Sequence, residues 1–192
     1  MNIALTGKIA SGKSTLLGMF KEAGYDVLSS DEVVKNLYLN EEVTHNIESL
    51  LKISFGSKVV NKDILRKHLL DNPKDKKKLE KYVHALVKKE IESFLAKSKS
   101  KIRVVEVPLL FESKLDVLFD TIIVTDIDEK KQEKLLENRD GFKSNDLKEI
   151  NSTNKIDENK NKASYLISNN STKEEFVNKC EKLINKLTSL LN

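Results

Sequence analysis

Gly7-Lys8-Ile9-Ala10-Ser11-Gly12-Lys13-Ser14, followed by Thr15, is the stretch on which the fold turns. It fits the pattern glycine, four free positions, glycine, lysine, then serine or threonine, which marks a loop that cradles phosphate. Chance yields such a match on the order of once per hundred chains of this length, so the surroundings must decide. Upstream, Asn2 to Thr6 (NIALT) is a short apolar run ending in glycine, the reading of a buried strand. Downstream, Lys13 to Ala23 sets Leu16, Leu17 and Phe20 at helical spacing, closed by Gly24 as a C-cap. Glycines let successive N–H groups turn inward around an anion, and a helix starting near Lys13 adds its positive end. The motif assigns Lys13 to the β- and γ-phosphates of a nucleotide and the Ser14 hydroxyl to Mg²⁺. Lys13 is expected to be exposed in its loop. The competing reading is a tight strand–helix turn with no ligand.

Beyond the loop, Tyr25 to Leu28 reads as a second strand, with Asp31 heading another helical stretch. Strand, loop, helix, strand, helix is the opening of a parallel α/β sheet. Residues 41–100 contain helical patterns and no convincing strand; the longest runs from Pro73 to about Lys99, with Leu79, Tyr82, Val83, Leu86, Val87, Ile91, Phe94 and Leu95 on one stripe. Pro73 suits a first-turn position. Ile102 to Val107 and Asp120 to Thr125 read as strands three and four, short and β-branched. A helix from about Asp128 to Arg139 follows. Residues 140–162 are polar and weakly periodic, the pattern of a mobile surface segment. Tyr165 to Ser168 is a fifth strand, and Thr172 caps a closing amphipathic helix.

Composition narrows the function. Of 192 residues 39% are hydrophobic and 33% charged, and no apolar run approaches a membrane span. Met1 to Ala10 lacks the form of a signal peptide, so no leader is expected. The lone cysteine, Cys180, rules out an internal disulfide and a cysteine-based zinc site, and it suits the reducing cytoplasm. The net charge is only +4, with Arg66, Arg103 and Arg139 the sole arginines; aromatics are 6% and tryptophan is absent, a poor basis for reading or stacking nucleic acid. Neither a nucleic-acid nor a membrane partner is expected, and a monomer is.

Asp31 lies just after the second strand, and in a parallel sheet the C-terminal strand ends share a cleft with the phosphate loop. A carboxylate there orients an acceptor hydroxyl; phosphoryl transfer has a loose transition state, so positioning counts for more than basicity. The alternative is a helix N-cap. Together with the loop and Asp31, His84 on the long helix and Val107-Pro108-Leu109-Leu110-Phe111-Glu112 after the third strand resemble the dephospho-CoA kinase family, and the likeness extends to Ile167-Ser168-Asn169. The resemblance implies a P-loop NTPase fold: a five-stranded parallel sheet flanked by helices, with a helical substrate-binding part at 41–100 and a lid at 128–162. It implies transfer of the ATP γ-phosphate to the ribose 3′-hydroxyl of dephospho-CoA, with ATP and Mg²⁺ required.

Carried over by position, the family's ATP-binding residues fall on Gly7, Ala10, Ser11, Gly12, Lys13, Ser14 and Thr15. Its acceptor-orienting aspartate falls on Asp31, and its substrate contacts on His84, Pro108, Leu109, Leu110, Phe111 and Glu112. The catalytic set is then Lys13, Asp31 and Arg139, the last as a lid arginine stabilising charge between the phosphates. Blander alternatives stand beside these: a satisfied buried histidine for His84, core packing for the PLLFE apolar residues, and a helix-end charge for Arg139. The chain departs from the family pattern at Ser29, Ala85, Leu135, Thr153, Ser164 and Asn170, mostly in the lid and on the adenine side. Glu106, at the end of the third strand, is a candidate metal-side carboxylate, although the family pattern does not require an acid there. A different P-loop kinase, acting on a nucleotide or small alcohol, is the runner-up, and a P-loop switch is the outsider.

Overall fold

The computed structural model describes residues 1–137 and 156–191, and in it Asn2–Gly7 (β1), Asp26–Ser29 (β2), Arg103–Glu106 (β3), Thr121–Asp126 (β4) and Tyr165–Ser168 (β5) form one sheet. The order is β2-β3-β1-β4-β5 and every pairing is parallel. Ile3, Ala4 and Leu5 in succession are wholly buried, as they are when helices cover both faces of a parallel sheet. The register sets Gly7 opposite Thr125, and both Leu5 and Ser29 opposite Glu106. The C-terminal ends of β1, β3 and β4 therefore lie side by side.

Lys13–Glu22 (α1) and Lys173–Ser189 (α8) pack on the sheet. Leu16 and Phe20 from α1 and Phe176, Cys180, Leu183, Ile184 and Leu187 from α8 close over Ile3, Leu5, Val104, Ile123 and Ile167. Burial pushes the Cys180 thiol up to about 11, so it serves as a small apolar core group. Thr172 caps α8, its hydroxyl accepting from Glu175 N at 3.2 Å. Glu129–Glu137 (α6) follows β4, and Ile156–Asn159 (α7) with a 3₁₀ turn at Lys160–Lys162 precedes β5. These last residues belong to a stretch expected to be mobile; instead Ile156 is fully buried and the turn is bound by ion pairs described below. No helix among the described residues is long and apolar enough to cross a membrane.

The chain divides into two units, Met1–Ser29 with Phe94–Asn192, and Ser30–Ser93. The second is helical: Ser30–Leu37 (α2), Glu41–Leu51 (α3), Lys62–Asp71 (α4) and the greater part of Pro73–Lys97 (α5). Asn40 caps α3 by accepting from Val43 N, and Asn61 caps α4 by accepting from Asp63 N and Ile64 N. Leu79, Val83, Val87 and Ile91 form the buried stripe of α5. Asp75 in the first turn of α5 accepts from Lys78 at 2.7 Å and pairs with His68 of α4 at 2.9 Å; these hydrogen bonds hold its carboxyl below the usual range.

Candidate functional site

The loop between β1 and α1 is built from unusual backbone. Gly7, Ala10 and Gly12 have φ of 152°, 59° and 98°, and Ser11 N donates back to Lys8 O at 3.2 Å. Ala10 carries a Cβ in the left-handed region, which costs about 1–2 kcal/mol. Ala10→Gly relieves that strain against about 0.4–1 kcal/mol of added unfolded-state freedom, so its melting temperature is expected to rise by about 2–4 °C. An unchanged or lower midpoint would show that the loop holds no strain there.

α1 starts at Lys13 with Gly12 as N-cap, no side-chain cap and no acidic residue in its first turn. α3, α4 and α8 all receive a side-chain cap. The α1 amides and the positive end of its dipole thus face the loop without a side-chain acceptor, the condition an anion exploits. A Cβ at Gly12 would stand 2.5 Å from Phe176 Cζ, so the cradle also depends on glycine for room.

Lys13 is not the exposed loop residue expected from sequence. It is buried, 9% exposed, and its ammonium donates to Gly7 O at 3.0 Å and Lys8 O at 2.8 Å. The motif indicates the role of the charge but not that the side chain folds back along the loop. Ser14, exposed in the first turn of α1, donates to Glu106 Oε1 at 3.5 Å. Glu106 ends β3 and is 6% exposed. A hydroxyl beside a carboxylate is the donor set a hard cation takes, the rest of its shell coming from phosphate oxygens and water, so these residues fit Mg²⁺. Thr15 lies exposed in the same first turn.

The remaining sequence-derived residues divide between the two units. Asp31 is exposed inside the first turn of α2, which begins at Ser30, so Asp31 does not flank the helix as an N-cap does. His84 is half-buried on α5. Both belong to the helical unit. In the sheet unit the Pro108–Glu112 turn splits: Leu110 and Phe111 are buried, Leu109 is 46% exposed, and Pro108 O accepts weakly from Thr6 Oγ1 at 3.4 Å. Glu112 is half-buried. Arg139 and Thr153 lie outside the described residues.

Several residues that hold the loop were given no such role by the sequence reading. Thr125 Oγ1 meets Ser11 Oγ at 2.6 Å, Gln132 Nε2 donates to Ile9 O at 3.0 Å, and Asn169 Nδ2 donates to Ser11 O at 3.2 Å. Gln132 is fully buried in the largely charged helix α6. Lys131 in turn fixes Asn169, donating to its backbone O at 2.6 Å and to Ser171 O at 2.6 Å. Lys8 Nζ lies 3.0 Å from Asp157 and 3.4 Å from Asp126, and Lys160 Nζ lies 2.7 Å and 2.8 Å from the same two carboxylates. Burial alone would raise the Asp157 carboxyl, but hydrogen bonds from Lys160 and Lys8 outweigh it and hold it below the usual range.

A family model described as dephospho-CoA kinase (CoaE) matches residues 1–175. A dephospho-CoA kinase of Brucella melitensis is 38% identical over 125 residues, 64% of this chain and 62% of that protein; the match thus spans under two thirds of the relative's length. One from the Wolbachia of Brugia malayi is 31% identical across 98% of both chains. Among solved structures, the dephospho-CoA kinase from Campylobacter jejuni superposes with a TM-score of 0.73 at 26% identity, covering 98% of this chain and 97% of its own.

Proposed function

The chain belongs to the dephospho-CoA kinase family, and from that premise we propose that it transfers the γ-phosphoryl group of ATP to the ribose 3′-hydroxyl of dephospho-CoA. The observation that carries the phosphoryl-transfer half of this reading is the glycine-built loop running into an α1 N-terminus with no side-chain cap. The identity of the acceptor rests on the family.

The loop amides and the α1 dipole bind the phosphates. Lys13 places its ammonium along the loop, 3.0 Å from Gly7 O, where it meets the charge of the transferring group. Ser14 and Glu106 would hold Mg²⁺, which when bound offsets phosphate charge. Asp31, in the first turn of α2 after β2, orients the acceptor hydroxyl. His84 and Pro108–Glu112 are each assigned to acceptor binding, and the exposed Leu109 offers apolar surface. Arg139 closes from a lid at 128–162. In this reading the enzyme works in the cytoplasm as a monomer, with neither a membrane nor a nucleic-acid partner.

The test is an acceptor panel with ATP: dephospho-CoA, AMP and shikimate under one phosphate-transfer readout. Turnover of dephospho-CoA alone is the expected result; turnover of AMP or shikimate without dephospho-CoA overturns the assignment. Asp31→Asn tests the mechanism, and kcat is expected to fall by about 10²-fold while the KM for ATP stays within about twofold. Normal turnover would reduce Asp31 to a first-turn acid that only stabilises its helix.

A further inference from the structure

Lys8 is the second residue of the phosphate loop, yet its ammonium is taken by two carboxylates. Each carboxylate presents one oxygen to each lysine: Asp157 reaches Lys8 at 3.0 Å and Lys160 at 2.7 Å, and Asp126 reaches Lys8 at 3.4 Å and Lys160 at 2.8 Å. The four charges alternate around a closed ring and sum to zero. They join the phosphate loop, the last residue of β4 and the α7 turn. The same turn grips the neighbouring segment as well, since Lys162 lies 5.5 Å over the Phe111 ring and 3.7 Å from Asp116.

We propose that this ring is a positioning device: it anchors Lys8 as a tether and so sets the phosphate loop for ATP, with Lys8 and Asp157 as positioning residues. The inference rests on the reading of this loop as the seat of the triphosphate. Ile9 and Ser11 are each held through their carbonyls, by Gln132 and Asn169. Lys8 O takes the Ser11 amide and the Lys13 ammonium, and the Lys8 side chain is the one that leads out of the loop to the α7 turn. A loop whose Ala10 has a φ of 59° keeps its shape only where its surroundings over-determine it. Anchoring before the nucleotide arrives reduces the ordering cost of binding. With its charge matched by Asp126 and Asp157, Lys8 acts on the loop's shape more than on the phosphate.

Asp157 is the exposed corner of the ring, its side chain 62% accessible, so its replacement leaves the core intact. For the full-length enzyme, Asp157→Asn is expected to raise the Kd for ATP and its KM about fivefold, with kcat within about twofold. Lys8→Met is expected to give the same increase, and the double variant no more than either single one, because one ring is broken in all three. Asp157→Glu keeps the charge and should bring ATP affinity back to within about twofold of wild type. Tighter or unchanged ATP binding by Asp157→Asn overturns the proposal, as do additive effects in the double variant. A loss for Lys8→Met on the order of fiftyfold, against fivefold for Asp157→Asn, also overturns it, because Lys8 would then touch the phosphate itself. Wild-type enzyme that binds ATP but leaves dephospho-CoA unphosphorylated refutes only the acceptor assignment, and the Kd comparison still decides on the ring. Wild-type enzyme with no affinity for ATP refutes both.

Discussion

Lys13→Met is expected to lower kcat by about 10³-fold or more and to leave a folded enzyme. The ammonium donates to Gly7 O at 3.0 Å and Lys8 O at 2.8 Å, so it already lies along the loop proposed to receive the phosphates. A fixed positive charge at that place stabilises charge that develops during transfer, and removing one such donor from a preorganised site typically costs about 10²–10³ in kcat. Lys13 adds a full charge to that donor, which sets the larger figure. Since Lys13 is only 9% exposed, the choice of replacement matters. Alanine removes the stem as well as the charge and leaves a gap beside β1, so Lys13→Ala should lose turnover and also about 1–3 kcal/mol of stability. Methionine keeps most of the stem, so its melting temperature should stay within about 4 °C of wild type. Measured together, single-turnover phosphate transfer and thermal midpoints separate the chemical role of the charge from its packing. Turnover by Lys13→Met within about tenfold of wild type would show that the ammonium serves the loop's own carbonyls and not the transferring group.

That pair of variants is informative because sequence and structure disagree about Lys13. A motif records which residue types must meet the phosphate; it does not record that the side chain lies back against Gly7 and Lys8. The five strands were legible because each contains a short apolar run, and the observed bounds differ mainly at their ends. Tyr25, for example, drops out of β2 because its amide closes α1 by donating to Phe20 O at 3.1 Å, while Ser29 joins by pairing with Glu106. Ladder ends are set by a partner strand, which local sequence does not contain. The same limit hid Thr125, Gln132 and Asn169. Thr125 lies near the end of β4, Gln132 within α6 and Asn169 just after β5, and only the order β2-β3-β1-β4-β5 brings these ordinary polar residues around the loop. Asn169 was partly visible, since a polar residue just after a parallel strand lies at the sheet's ligand-binding end. Gln132 had no such signal. The ring at Lys8 was hidden for a different reason: Asp157 and Lys160 sit in an Asn- and Lys-rich stretch whose composition reads as solvated surface. The Asp157–Lys8 and Lys160–Asp126 ion pairs and one buried residue, Ile156, dock it.

Three glycine-to-alanine substitutions separate the physical demands on the loop from ordinary helix and turn preferences, and the largest effect falls at Gly7. A Cβ at Gly7 would stand 2.2 Å from Thr125 O, 2.4 Å from Thr125 Oγ1 and 2.9 Å from Ser11 Oγ, with φ at +152°. None of these neighbours can retreat cheaply. Thr125 is Gly7's register partner across the β1–β4 ladder and is wholly buried, and its hydroxyl is bonded to Ser11 at 2.6 Å. Overpacking of this kind costs about 1–3 kcal/mol or more, and the backbone strain about 1–3 more. Gly7→Ala should therefore lose about 4 kcal/mol and some 8–16 °C in melting temperature. ATP affinity should fall with it, because the relief available is to move Ser11 and with it the loop. Gly24, with φ at +86° and nothing within 4 Å of a built Cβ, isolates strain without clash, and its alanine variant should lose about 1 kcal/mol with normal ATP binding. Gly18, inside α1 and likewise open, has neither penalty, so Gly18→Ala should gain about 1 kcal/mol from helix propensity alone. Melting curves and nucleotide titrations on the three variants give the ordering. If Gly7→Ala melts within a few degrees of Gly24→Ala, β1 and β4 have room to part at their C-terminal ends, and the close approach of Thr125 is not what shapes the phosphate loop.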